Sequence, residues 1–377
     1  MDPATAWAES GMMALTGQPD GPPLEAPTAL VEGAWDVARA VARYSAPLGK
    51  EVEVDPFAVM AERAGFTGQR RGGQVSCGGS TRLMRAADGW IAATMARPTD
   101  WELLPALFGS HTNISEGDWP SLEAEVASST GGELRQQAAL LGLALAVLGE
   151  RQLLGGAPVP AWTGPGVRRT EIRAATPAPP ATELVVVDLS SLWAGPLVGR
   201  LLADAGMRVI KVESLTRPDG ARSGNPQFFA AMNGTKESVS VDLRSDEGAR
   251  QLARIVSDAD IVITAARPRA LEQLGLDPAE IVRSERPRVW LQISGYGGDP
   301  EWSNRIAFGD DAAVAGGLVA WDRSTGTEAI PCFCGDAIAD PLTGLVGTAA
   351  VLSALASTSV WVIDASLADI AAGSAEP

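Results

Sequence analysis

The chain has 377 residues, enough for two or three domains with apolar cores of their own. A formal net charge of −16 and a pI near 4.6 argue against nucleic acid or an anionic membrane surface as partner. One histidine and three cysteines, two of them in Cys332-Phe-Cys334, support no Cys/His metal site, so no metal is expected and the thiols read as reduced.

Residues 1–7 carry neither the basic stretch nor the apolar core of a signal peptide. No apolar run reaches the roughly 18 residues of a membrane span, so a soluble, cytoplasmic protein is expected. A small-residue helix over 7–15 ends in a turn-rich loop, and a helix follows through Trp35, Val37, Val41 and Tyr44. Residues 68–79 hold a run of glycines that suits either a mobile flap or an ordinary connector. Residues 81–95 read as two strands around an Asp88-Gly89 turn. Helices are predicted over 100–108, 120–127 and 132–148, and His111 is expected in a polar surface loop. Residues 155–180, rich in Pro, Gly, Thr and Ala, read as a linker.

From residue 183 strands and helices alternate. Leu184 to Leu189 is a continuous apolar run, as in a buried parallel strand, and further strands are predicted at 206–213, 238–243, 261–264 and 289–294. The spacing predicts an α/β fold: a Rossmann-like parallel sheet domain plus a smaller α/β domain. No G-x-G-x-x-G follows the first strand, so an ordinary dinucleotide site is not supported.

Near the C-terminus, Asp340-Pro341-Leu-Thr-Gly344 opens an apolar run that is free of charge for about three turns, which suits a helix buried on most sides. An aspartate before proline is an ordinary helix start whose side chain accepts orphan amide protons. The same carboxylate at the mouth of a buried helix could also act as a nucleophile. A near copy of the segment lies at the other end of the chain. Gly344 and Asp364, twenty residues apart, match Gly33 and Asp55, twenty-two apart. Four residues before the glycine stands Asp340 in one copy and Ala29 in the other. A purely structural cap has no obvious reason to differ in this way.

Residues 183–213, Asn233-Gly-Thr-Lys236, 258–263, 267–276 and Ile293-Ser-Gly295-Tyr296-Gly resemble the family III CoA-transferases, the CaiB/BaiF group that also contains the α-methylacyl-CoA racemases. Asp340-Pro-Leu-Thr-Gly344 is similar to that family's Asp-x-x-x-Gly active-site motif. The small-domain part precedes the Rossmann part here instead of following it. The implied plan is a degenerate active-site repeat (1–67), a small α/β domain (68–154), a linker (155–182), a Rossmann-like CoA-binding domain (183–300) and an active-site segment (301–377).

The resemblance implies that Asp340 attacks an acyl-CoA thioester and that CoA passes through an aspartyl thioester to an incoming carboxylic acid. Coenzyme A would then be a substrate, with no permanently bound cofactor. Ala194, Leu243, Thr264, Arg267, Gly295 and Tyr296 would line the CoA cleft, Lys236 would face a phosphate, and Arg217 would stand in for a family arginine displaced by Ser214-Leu-Thr. Gly72-Gly73-Gln74 is the corresponding glycine-loop candidate. A homodimer is expected, in a form the changed chain order leaves open. A non-catalytic acyl-CoA-binding protein or a hetero-oligomer subunit is the alternative. A racemase is disfavoured, because Gly309-Asp310-Asp311 stands where the racemases carry Gly-His-Asp.

Overall fold

A computed structural model describes residues 3–109, 114–151, 166–284, 286–324, 326 and 328–375. The expectations for His111 and for residues 155–165 of the linker lie outside the described residues. The smaller domain carries the predicted hairpin, β1 (Thr81–Ala86) and β2 (Gly89–Thr94), paired antiparallel across Asp88. A third strand, β3 (Ala144–Val147), pairs with β2 where the sequence suggested helix to residue 148. The helix instead covers Gly131–Leu141 and stops at Gly142, whose φ of 70° supplies a left-handed C-cap.

The large sheet is built from β4 (Val167–Ala174), β5 (Val185–Asp188), β6 (Arg208–Ser214), β7 (Glu237–Val241), β8 (Ile261–Thr264), β9 (Val289–Ser294) and, beyond the β10–β11 hairpin (Val319–Asp322, Ile330–Phe333), β12 (Ser359–Ser366). Its order among the described residues is β4-β12-β9-β8-β5-β6-β7. All neighbours are parallel except β4, which runs antiparallel to β12 at one edge. Without that edge the order is the dinucleotide-binding pattern, and it reverses between β5 and β8. Ligands of open α/β sheets bind at such a reversal, beyond the carboxyl ends of the strands.

Two parts of the domain plan change. Residues 167–174 were expected in a linker but form β4, because alternating Arg, Thr and Ile side chains suit an edge strand that is half in water. β12 lies inside the large sheet, so the C-terminal segment is continuous with the Rossmann-like part rather than packed upon it.

At the centre lies the helix Ala339–Leu355. All of its residues are buried except Asp340 and Ser353. It packs on the helices Ala194–Asp204, Thr28–Ser45, Pro56–Thr67 and Leu367–Ala372, and on β9 and β12. Small residues allow this crowding. A Cβ on Gly344 would stand 2.6 Å from Leu197 Cδ2 and 2.9 Å from the Ala194 carbonyl oxygen, so only glycine lets the two helices approach so closely.

Candidate active site

Asp340 sits in the first turn of its helix, but it does not cap that helix. Ile338 is the N-cap and makes no side-chain cap hydrogen bond. The carboxylate faces Gly309 instead, where a Cβ would come within 2.6 Å of Asp340 Oδ2. Burial pushes the Asp340 carboxyl up to about 7; Arg63 opposes the rise, and Asp310 and Asp336 add to it.

The turn before the helix is pinned from three directions. The Gly335 amide donates to Thr16 Oγ1 at 3.1 Å, and the Ala337 amide donates to Asp310 Oδ1 at 3.0 Å. Arg63 Nε donates to Asp336 Oδ2 at 2.7 Å, and Nη2 reaches the other oxygen of the same carboxylate. Ala337 is held at a φ of 42°, a left-handed conformation unusual for a residue with a Cβ, and its carbonyl accepts the Asp340 amide at 2.9 Å. The nucleophile candidate thus stands directly after a strained, cross-braced turn.

Asp310 and Asp311 form a second buried acidic pair. Burial raises Asp310 to about 6, helped by Asp336, and raises Asp311 to about 7. Asp311 Oδ1 accepts from Thr94 Oγ1 and the Phe308 amide, both at 2.9 Å, while its Oδ2 has no partner. The nearby Cys77 thiol is pushed up by burial and carries no thiolate character at neutral pH.

The residues expected to line the CoA cleft divide into groups. Ala194 opens a helix that meets the active-site helix at Gly344. Thr264 is buried at the carboxyl end of β8, and its hydroxyl accepts the Ala266 amide at 3.1 Å. Arg267 is exposed just beyond, at the N-cap of helix Pro268–Gln273, and Arg217 is exposed beyond the end of β6. Leu243 is part-buried and packs into the β5–β9 core. Gly295 packs against Ala307. Tyr296 is fully buried, stacked on Trp302 with ring centroids 5.6 Å apart and hydrogen-bonded to Arg305, so it is a packing residue.

The expectation for Lys236 is not met. Its ammonium is buried and donates to Asp188 Oδ2 (2.8 Å), the Pro196 carbonyl (2.8 Å) and Asn233 Oδ1 (2.9 Å). An ammonium has three protons, so none remains for a phosphate. Although burial opposes it, Lys236 and then Lys211 hold Asp188 below the usual carboxylate range. This pair and the buried Lys211–Asp219 pair fix the loops beyond β5 and β6.

The glycine-rich segment is also tied down. The Gly73 amide donates to the Gly17 carbonyl at 3.0 Å, its own carbonyl accepts from Phe333, and the Arg71 side chain holds three carbonyls of the N-terminal turn. Gly72-Gly73-Gln74 is therefore a pinned strap and not a free flap. Sequence reasoning missed Arg63, Asp336 and Thr16. Arg63 lies 273 residues from Asp336, and only the fold brings them together.

Residues 182–372 match the sequence profile described as CoA-transferase family III, half of the chain. The chain belongs to that family. It is 32% identical over 191 residues to an acyl-CoA transferase of Fusarium pseudograminearum, covering 46% of this chain and 41% of that protein. It is 34% identical over 191 residues to the probable fatty acyl-CoA transferase Rv3272 of Mycobacterium tuberculosis, covering 48% of this chain and 47% of that protein. A longer alignment with the probable CoA-transferase Rv1866 of the same organism covers 86% of this chain and 51% of that protein at 26% identity. The chain spans about half the length of the curated relatives it matches. Asp340, Lys236, Thr264 and Tyr296 all lie within the family-matched half, whereas Arg63 and Thr16 lie outside it.

Proposed function

We propose that the protein is an acyl-CoA:carboxylate CoA-transferase that uses Asp340 as covalent nucleophile. The observation that carries this reading is the isolation of Asp340: it is the one carboxylate on an otherwise buried helix, it does not cap that helix, and it stands within the family-matched residues. An ionised Asp340 oxygen attacks the thioester carbonyl, the C–S bond breaks, and CoA leaves as thiolate from an aspartyl anhydride. The thiolate then attacks the aspartyl carbonyl and expels the first acid as its carboxylate, leaving an aspartyl-CoA thioester. An incoming carboxylate attacks that thioester, and the released thiolate takes the acyl group of the new anhydride. Asp340 is regenerated, and no net proton is consumed. Covalent catalysis of this kind divides one difficult exchange into easier steps.

With Lys236 committed to Asp188, the cations for the CoA phosphates are Arg217 and Arg267, exposed beyond β6 and β8 near the reversal of strand order. The test is mass spectrometry of the intact protein after brief incubation with acetyl-, propionyl-, succinyl- and longer-chain acyl-CoA, quenched with hydroxylamine. An adduct at Asp340 that is lost in Asp340→Asn supports the reading. CoA binding without an adduct from any donor favours a second reading, an acyl-CoA-binding subunit, which the half-length coverage of the relatives also suits.

A further inference from the structure

Arg63 belongs to the helix Pro56–Thr67, in the segment that repeats the active-site segment without its aspartate. Its guanidinium grips Asp336 with two nitrogens and lies over the Trp193 ring, 5.0 Å from the centroid. Trp193 is buried immediately before the helix that meets Gly344. A Cβ on Gly78 of the glycine-rich strap would come within 3.9 Å of Arg63 Nη2. Glu62, the neighbouring acid on the same helix, is turned to Arg200 at 2.7 Å and does not compete. One side chain thus touches the turn before Asp340 and the β5 loop, with the strap close by.

We propose that Arg63 is a positioning residue for Asp340: it clamps the turn that presents the carboxylate and supplies the positive charge against which Asp340 ionises. The clamp acts through Asp336, whose side chain is fully buried and would be an unpaired charge without its fork partner. The strained Ala337 follows directly, and its carbonyl holds the Asp340 amide. The charges bearing on Asp340 are Asp336 from the turn, Asp310 from the helix Gly309–Ala315 and Arg63 from the helix Pro56–Thr67. Cys77 on the strap faces Asp336, Asp310 and Arg63 as a neutral thiol. Two acids therefore oppose ionisation of the nucleophile and one arginine favours it. The segment with Ala29 at the matching position thus equips the segment that carries Asp340.

This inference rests on the covalent reading for its kinetic readout and stands apart from it for its titration readout. The variants are Arg63→Gln, which removes charge and fork, and Arg63→Lys, which keeps the charge and loses the fork. Single-turnover adduct formation is followed against pH, and the carboxyl carbon of Asp340, assigned with Asp340→Asn, is titrated by 13C NMR. In Arg63→Gln both midpoints move up by about one pH unit, and adduct formation at pH 7 slows roughly tenfold with donor KM within about twofold. Arg63→Lys restores the titration midpoint but not the rate. If Arg63→Gln does not fold, Arg63→Lys carries the test, and a wild-type rate in it overturns the clamp. A midpoint and rate unmoved in Arg63→Gln overturn the whole proposal while leaving the transferase reading intact. A wild type that forms no adduct, whose Asp340 midpoint still moves in Arg63→Gln, sinks the covalent reading and keeps the charge role.

Discussion

Helices Thr28–Ser45 and Ala339–Leu355 pack against each other and belong to the two segments matched in the sequence. In the second copy the helix is followed by β12 in the large sheet; in the first, residues 51–55 join no sheet. Gly344 is wedged against Leu197 and the Ala194 carbonyl, whereas a Cβ on Gly33 would meet nothing within 4 Å. Asp340 sits among Asp310, Asp336 and Arg63, whereas its counterpart is Ala29. The second segment carries Asp340, and the first braces the turn before it through Thr16 and Arg63.

The largest test of that division is reciprocal. Asp340→Asn lowers transferase turnover by about three orders of magnitude or more, the scale expected for loss of a covalent nucleophile. Ala29→Asp in that background restores nothing, because Asp310, Asp336 and Arg63 bear on the Asp340 position. Turnover is read by CoA exchange between an acyl-CoA and a labelled acid; recovery by Ala29→Asp would show that the copies remain interchangeable.

The acidic cluster exists in the second copy alone, so its pH signature should belong to that copy. Asp310, Asp311 and Asp340 titrate at about 6, 7 and 7 in the folded protein, against an ordinary value of 3.8. Above 3.8 the folded state holds protons that the unfolded chain has released. Their stabilisation is complete below about pH 4 and is lost as pH rises through 6 to 7. The thermal midpoint should therefore fall between pH 5 and pH 8, and Asp311→Asn should flatten that fall. A midpoint that rises over this interval would contradict the cluster. For the reaction, kcat/KM should rise with pH up to an acidic limb near 7, where Asp340 ionises.

Much of the fold was legible because strands of a parallel sheet are apolar runs. The runs at 184–189, 261–264 and 289–294 hold β5, β8 and β9. β3 was hidden because Ala144–Val147 continues the apolar run of the preceding helix, and only a glycine at positive φ separates them. β4 was hidden because it is an edge strand of mostly polar side chains. In the site, Asp340 was visible through its motif and the repeat. Lys236 was misread because a motif gives a residue's place in the chain and not the partners of its charge; Asp188 lies 48 residues earlier. Arg63 left no local signal, since its function comes from a contact across most of the chain.

The glycines offer a smaller and sharper contrast. Gly344→Ala forces a methyl within 3 Å of both Leu197 and the Ala194 backbone, and should cost about 1–3 kcal/mol of stability as overpacking. Gly33→Ala puts a methyl into open space in a helix and should be neutral or stabilise by about 0.5–1 kcal/mol. Urea denaturation of the two variants reads the difference directly. Equal costs would mean that the first helix is packed as tightly as the second, which would undo the contrast.

The smallest effect concerns the matched aspartates Asp55 and Asp364. Asp55 is an N-cap: its Oδ1 accepts the Phe57 and Ala58 amides at 3.0 and 3.1 Å and closes the helix that carries Arg63. Asp364 lies within β12 and ties it to the end of β9, accepting from Ser294 Oγ at 2.7 Å and the Gly298 amide at 2.6 Å. Asp55→Ala should cost about 1 kcal/mol, the usual loss of a cap, and Asp55→Ser should recover most of it. Arg63 lies two turns further along and is anchored by Asp336, so fraying of the first turn should leave the pH dependence of adduct formation unmoved. A shift in that dependence would mean that the cap, and not the Asp336 fork, sets the position of Arg63.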